Sequence, residues 1–303
     1  MTEAKPPIAR GIDHLIIGVQ DLEAAARTFH DQLGFHTCGG GVHPYSGTVN
    51  RLIVLDNCYL ELLAAQPGVE PRGFIADMVR SGHEGWVGFA LETGDPAHAA
   101  QVLRERGYAV EGPAEGRLTT GTGHDRSWQT VRVHADQGSG LPFLIRHDQQ
   151  GEERRRLLAG AAGLAPHSLG ARTVAAIIIV VHDLESGSGA YQSLFGLMPA
   201  GDPSEDTMLQ ARLLPLRLAS GTSVILAAPK SPGIGPVASA LIEHGEGLFA
   251  VNLTVDDLPA AVRDLRARGV GVRVDEPDGV LVAAQLHHLH THGARIGLLP
   301  RAV

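Results

Sequence analysis

Aromatic side chains are scarce in this sequence, with seven Phe, four Tyr and two Trp among 303 residues. Glycine is abundant at 38 residues, so Val, Ile, Leu and Ala must fill the interior of a tightly turned strand framework. Cysteine is nearly absent. Cys38 and Cys58 lack metal-knuckle spacing and read as reduced thiols of a cytosolic protein. No long basic run interrupts a chain of net charge −8, which argues against nucleic acid as a partner. No apolar run approaches the roughly 20 residues that a membrane helix needs. Met1 to Arg10 is short and polar, without the apolar core of a signal peptide. The expectation is a soluble cytoplasmic protein.

What the sequence does contain is a repeat. Asp21 opens an Ala-rich apolar run that stops at Gly34, and Asp183 opens one that stops at Gly196; both ends lie 162 positions apart (183 − 21 and 196 − 34). Asp95 to Gly107 and Asp257 to Gly269 repeat the pattern at the same offset of 162 (257 − 95 and 269 − 107). Within each half the two Asp residues are 74 apart (95 − 21 and 257 − 183). An Asp before an apolar-periodic run accepts from the free amides of a first helical turn, and a Gly after it suits a left-handed helix end. An apolar strand precedes each helix, at 12–19, 85–91, 174–181 and 248–255, and strand-like segments follow. The spacing predicts an α+β fold of four βαβββ units. They pair as residues 10–148 and 172–301, joined by a connector at 149–171 that carries a short helix.

The opening His14-Leu-Ile-Ile-Gly-Val-Gln-Asp21-Leu22, with Leu33-Gly34-Phe35 at the helix end, resembles the first module of the vicinal-oxygen-chelate superfamily. That group includes glyoxalase I, the extradiol dioxygenases and fosfomycin-resistance proteins. Gly41-Val42-His43, Gly47-Thr48-Val49-Asn50 and Tyr59-Leu60-Glu61-Leu62 are similar to the pattern of its glyoxalase-like domain proteins. The resemblance implies two tandem glyoxalase/bleomycin-resistance/dioxygenase-type domains. In each, two units form a cupped sheet whose hollow is the ligand site. It also implies a divalent metal whose ligands come from the first and last strands of each unit. His14, seven residues before Asp21, and Glu61 occupy such positions, and are the candidate metal ligands and catalytic residues. The second unit offers Gly88 and Phe143-Leu144-Ile145, and the second half offers Ala176 and Ser223 to Ile225. The first set is incomplete and the second half is degenerate. The cofactor therefore stays open between one divalent ion (Fe, Mn, Ni or Zn) and none.

Other residues could serve the same cup. Trp128, Thr130, Arg132 and His134 share one strand face by period two, facing either the cup or solvent. In the cup, Arg132 would bind a substrate carboxylate and His134 would ligate or act as a base. The Gly39 to Gly41 stretch reads as a flexible loop at the rim rather than a phosphate cradle, since no helix start follows it. His43, Thr48 and Asn50 beyond it are candidate substrate contacts, with Asn50 facing the Glu61 strand. Trp86 and Phe89 are candidate apolar walls. Glu61 sits between Leu60 and Leu62, so its carboxylate needs a polar cavity, and without a metal it is a candidate general base. His288, His290 and His292 would form a row on one strand face, although Gly293 suggests a turn. Two functions follow as expectations. One is a lyase, isomerase or dioxygenase acting on a small oxygenated metabolite, and the other a non-catalytic small-molecule binder. The degenerate half leaves room for a homodimer contact.

Overall fold

Each Asp that the repeat marks caps a helix. Asp21 accepts from the Ala24 amide at the start of α1 (Leu22–Arg27), and Asp95 from His98 at α2 (Pro96–Glu105). Asp183 accepts from Glu185 and Ser186 at α4 (Leu184–Phe195), and Asp257 from Ala260 at α6 (Leu258–Ala267). The glycines that close the four runs all take φ between +74° and +88°, the left-handed turn that ends a helix. The computed structural model describes residues 8–73, 80–118, 126–134, 140–159 and 166–301. Among them no helix is long and apolar enough to cross a membrane.

The strands form two curled sheets. In the first, β1 (Gly11–Gly18), β2 (Cys38–His43), β3 (Thr48–Val54) and β4 (Tyr59–Ala65) belong to one unit. Its partner unit supplies β5 (Gly85–Glu92), β6 (Ala109–Leu118), β7 (Arg126–His134) and β8 (Phe143–His147). Their spatial order is β2-β3-β4-β1-β5-β8-β7-β6. Within each unit the first and last strands run parallel across the helix, and β1 meets β5 antiparallel at the centre.

The second half supplies β9 (Ala171–Val180), β10 (Met198–Pro199), β11 (Ser204–Asp206), β12 (Ala211–Arg217) and β13 (Ser223–Pro229), followed by β14 (Gly247–Val255), β15 (Val272–Asp275), β16 (Ala283–Leu286) and β17 (Arg295–Pro300). They repeat the order as β10-β12-β13-β9-β14-β17-β16-β15, with β11 on β12. The fold is four βαβββ units in two curled sheets. The connector carries the expected short helix, α3 (Gly151–Ala159).

Alternation along the central strands decides what faces where. Leu15, Ile17 and Val19 join Ile177, Ile179 and Val181 in one core shared by both halves, while His14 and Ile16 face the hollow of the first sheet. In the second sheet the counterparts of His14 and Glu61 are Ala176 and Ile225; Ile178 opposes Ile225 as Ile16 opposes Glu61. That hollow is filled by Ile178, Val180, Ala211, Ala227 and Phe249 around Val237. Val237 lies on a helix that periodicity did not mark, α5 (Pro236–His244). The second cup is packed shut with its own side chains.

Two sequence expectations are corrected. The glycine stretch is part of strand β2, pairing with β3 across a bulge between Cys38 and Gly41. Gly40 adopts φ +99°, and a Cβ there would lie 2.1 Å from the Asn50 carbonyl oxygen, so only glycine permits this approach. The histidine run is no strand. His288–His290 form a tight helical turn held by the Thr291 hydroxyl donating to the His288 carbonyl, so the three imidazoles do not line up on one face.

Candidate active site in the first cup

The hollow of the first sheet is a cavity of about 670 Å³. Period-two alternation delivers its wall: Thr48 and Asn50 from β3, Tyr59, Glu61 and Leu63 from β4, and Trp128, Thr130, Arg132 and His134 from β7. Strand β8 adds Phe143, Ile145 and His147. The β7 face that the sequence left open between cup and solvent therefore lines the cup.

One irregularity changes the chemistry. Ile12 and His14 of β1 oppose the adjacent residues Leu91 and Ala90 of β5, so Asp13 is an extra residue in the strand. A bulge puts neighbouring side chains on the same side, and the Asp13 carboxylate reaches the His14 and His147 rings that line the cup. His14 Nδ1 lies 2.6 Å from Asp13 Oδ1, and His147 Nε2 lies 3.2 Å from the same oxygen. Both rings donate, because a carboxylate offers only acceptors. Arg154, carried in by α3, places Nε 4.0 Å from Asp13 Oδ2 and donates from Nη2 to the Tyr59 hydroxyl at 3.0 Å.

Around Glu61 a second network forms. The Asn50 amide donates to Glu61 Oε1 at 2.6 Å, and its own oxygen accepts from the Gly41 amide at 2.9 Å. Glu61 Oε2 lies 3.4 Å from His14 Nε2, and Oε1 lies 3.8 Å from His43 Nε2. His43 Nδ1 is held by the Thr48 hydroxyl at 3.0 Å. His14 is sandwiched, stacked on Tyr59 at 4.9 Å and met edge-on by Phe143 at 5.7 Å. All of His14, Thr48, Asn50, Glu61 and His147 are buried.

Burial sets the protonation pattern of the flanking groups. It pulls His43 below the ordinary imidazole value, with Glu61 opposing and His14 and Arg126 adding to the fall. It likewise pulls His147 down against Asp13, and His167, behind the sheet, down against the Val54 carbonyl. For Asp13, burial raises the value, yet the charges of and hydrogen bonds from His147 and His14 outweigh it and hold the carboxyl well below its usual range.

The histidine shifts predict a pH dependence of stability. The unfolded chain takes up protons below about pH 6.5, where the native histidines still resist them. The unfolded state then binds more protons, so stability is full above that pH and falls as pH drops through it. The melting temperature is expected to fall by about 5 °C between pH 7.5 and 5.5, read by scanning calorimetry. A flat or rising profile over that interval would contradict the assignment. Asp13, shifted down, acts in a separate window; its contribution is lost only at more acidic pH, as pH falls through its lowered value.

Of the residues singled out from sequence, His14, His43, Thr48, Asn50, Glu61, Phe89, Arg132 and His134 all line this cavity. Trp86 does not. Its indole donates to the Arg295 carbonyl at 3.2 Å, at the contact between the halves. Arg132 lies over the Phe143 ring at 4.6 Å, and exposed His134 pairs with Glu111 at 3.5 Å. Asp13, Tyr59, Arg126 and Arg154 were not singled out. Sequence carried a signal for Tyr59, two residues before Glu61, and for Arg126, two residues before Trp128, each on the same strand face by period two.

Residues 12–195 match the family profile described as a glyoxalase-like domain. The chain belongs to the glyoxalase-like domain family. Curated proteins include no match to this sequence. Among solved structures, a triple mutant of 4-hydroxymandelate synthase from Streptomyces coelicolor superposes with a TM-score of 0.70 at 16% identity, covering 98% of this chain and 93% of that one. A hypothetical protein from Staphylococcus aureus gives 0.67 at 15% identity, covering 96% and 99%. At these identities the likeness is one of fold, extending over both sheets.

A glyoxalase-like fold raises the question of a metal, and the donor set answers it. The positions from which the superfamily supplies ligands hold His14, Glu61, Gly88 and Phe143 in this cup. Ala90, two residues after Gly88, opposes Phe143 as Ile16, two after His14, opposes Glu61. Two donors fall short of the three protein ligands that a catalytic ion needs. Among the described residues one group of three presents ligand atoms within 4.8 Å of one another, namely Asp13, His14 and His147. Its atoms are already joined by hydrogen bonds to one carboxylate oxygen, and the Arg154 guanidinium stands beside them as the cation. The residues do not fit the family's ion, and no step below is routed through one. Mass spectrometry on untagged protein is expected to find substoichiometric metal, unchanged by His14→Ala. Stoichiometric metal lost in a His14→Ala, Glu61→Ala double variant would contradict this.

Proposed function

We propose that this protein is an enzyme of the isomerase or lyase type that moves a proton on a small oxygenated metabolite held in the first cup. Glu61 is the base and His14 its partner. The observation that carries the reading is the Glu61 carboxylate itself. It is buried at the cavity wall, with one oxygen fixed by Asn50 and the other 3.4 Å from His14 Nε2. A buried carboxylate oriented by one hydrogen bond is suited to take a proton from carbon next to a carbonyl. Its electron pair then passes into that carbonyl, and the resulting enolate takes a proton back at carbon or expels a leaving group.

His14 is oriented for a complementary part. With Nδ1–H given to Asp13, its Nε2 presents a lone pair while the ring is neutral and a donor once it takes a proton. His43, Thr48 and Asn50 form the polar floor on one side, Phe89 and Phe143 the apolar wall, and Arg132 and His134 the opposite side. The test is deuterium incorporation from D2O into a panel of small ketones, hydroxyketones and oxo acids, followed by mass spectrometry. Incorporation by wild type that is lost in Glu61→Gln supports the reading, and equal incorporation by both overturns it. Saturable binding with no incorporation into any compound would make the protein a binder that sequesters its ligand.

A further inference from the structure

At the end of the cup nearest α3, hydrogen-bond donors accumulate without acceptors. Arg154 is 7% exposed and lines the cavity, and its Nε–H has no hydrogen-bond partner. Tyr59, 5% exposed, accepts from Arg154 Nη2. Its hydroxyl hydrogen therefore has to be given elsewhere, and no acceptor for it is found among the described residues. Arg126, the first residue of β7, is half-buried on the same cavity wall. Among the described residues it has neither a hydrogen bond nor an ion pair.

The charges do not balance either. Asp13 stands against Arg154 at 4.0 Å, which leaves the Arg126 guanidinium without an ion-pair partner among the described residues. Asp148 acts on both arginines from a distance and forms an ion pair with neither. Burial and the neighbouring Arg154 both push Arg126 below the usual guanidinium value, the strain of two like charges in a half-dry site. Half-buried guanidinium groups and a free phenol donor normally find partners. A planar anion bridging them would supply the missing acceptors and charge.

We infer that Arg126, Arg154 and the Tyr59 hydroxyl form an anion subsite that holds the carboxylate of a short oxygenated acid beside the His14–Glu61 pair. The inference rests on the preceding reading only in taking this cup as the ligand site. Tyr59 stacks directly on His14, so an acid anchored here presents its neighbouring carbons to the Glu61 carboxylate. Phosphate would satisfy the same donors, and the test separates the two.

The probes are benzoate, its neutral amide benzamide, and inorganic phosphate, titrated by calorimetry into the full chain. Benzoate is expected to bind at least about 10-fold more tightly than benzamide, and high salt should weaken it. Arg126→Gln should weaken benzoate about 10-fold and Tyr59→Phe by several-fold. Phosphate binding tighter than benzoate, with the same variant pattern, would keep the subsite and assign it to phosphate esters. Benzoate and benzamide binding alike, no saturation by either anion, or weakening by Arg132→Gln but not by Arg126→Gln would each overturn the subsite. Glu61→Gln should retain benzoate binding. Loss of the proton-transfer reading therefore shows in deuterium exchange, and loss of this one in the acid–amide comparison.

Discussion

Glu61→Gln is expected to abolish deuterium exchange, lowering the rate by about 10³-fold, the middle of the range for removing a positioned general base. The substitution keeps the shape of the site. A Gln amide can turn its oxygen to the Asn50 donor that now holds Glu61 Oε1 at 2.6 Å. Its NH2 group then faces His14 Nε2, where the second carboxylate oxygen now lies at 3.4 Å. Volume, burial and the hydrogen bond from Asn50 are preserved, and only the ability to accept a proton is lost. The loss should therefore fall on turnover, with ligand affinity and melting temperature near wild type. Glu61→Asp retracts the carboxylate by one methylene, away from Asn50, and should retain a small fraction of activity. Exchange in Glu61→Gln within about 10-fold of wild type would remove Glu61 from the chemistry.

The largest effect on stability is expected at Asp13. Its carboxylate is the common acceptor for His14 and His147 and the counter-charge of Arg154, with His14, His147 and Arg154 all buried. Asp13→Ala removes all three partners at once and leaves the Arg154 guanidinium buried without an anion. Breaking one side of a buried pair costs about 3–5 kcal/mol. For a chain of this size that corresponds to a fall in melting temperature of about 6–15 °C.

The partner variant separates charge from packing. In an Asp13→Ala, Arg154→Met background the unpaired cation is gone, and part of the loss should return. Urea unfolding of the two single variants and the double variant measures the coupling. A loss below about 1 kcal/mol in Asp13→Ala would mean that the cluster is solvated and carries no structural charge pair.

Much of this molecule is written locally. An Asp followed by an apolar helical run and a Gly is a complete instruction for one helix, because cap, stripe and stop act within about a dozen residues. The four repetitions, at offsets of 162 and 74, suffice to predict four βαβββ units. His14 and Glu61 were legible too. Glu61 lies between Leu60 and Leu62, so a polar side chain there has to face something other than core, and His14 stands where the family resemblance places a ligand, seven residues before Asp21. Asn50 came with the Gly47-Thr48-Val49-Asn50 segment of the same resemblance.

The rest came from contacts between distant parts of the chain. Asp13 was hidden because strict alternation turns it away from His14, and only a bulge against β5 turns it back. His147 and Arg154 lie 134 and 141 residues from Asp13 (147 − 13 and 154 − 13), and no periodicity links them. The face of β7 was undecidable from sequence, since polar alternation describes solvent and a polar cavity equally well. The second cup lost its hollow to α5, whose Val237 is buried among residues of four strands. The sequence alone determined the units, because caps and alternation are short-range, and its family resemblance marked the first carboxylate and imidazole. The curl of the sheet decided which acids, bases and donors meet around that pair, because convergence in a cup depends on strand register and twist over the whole chain.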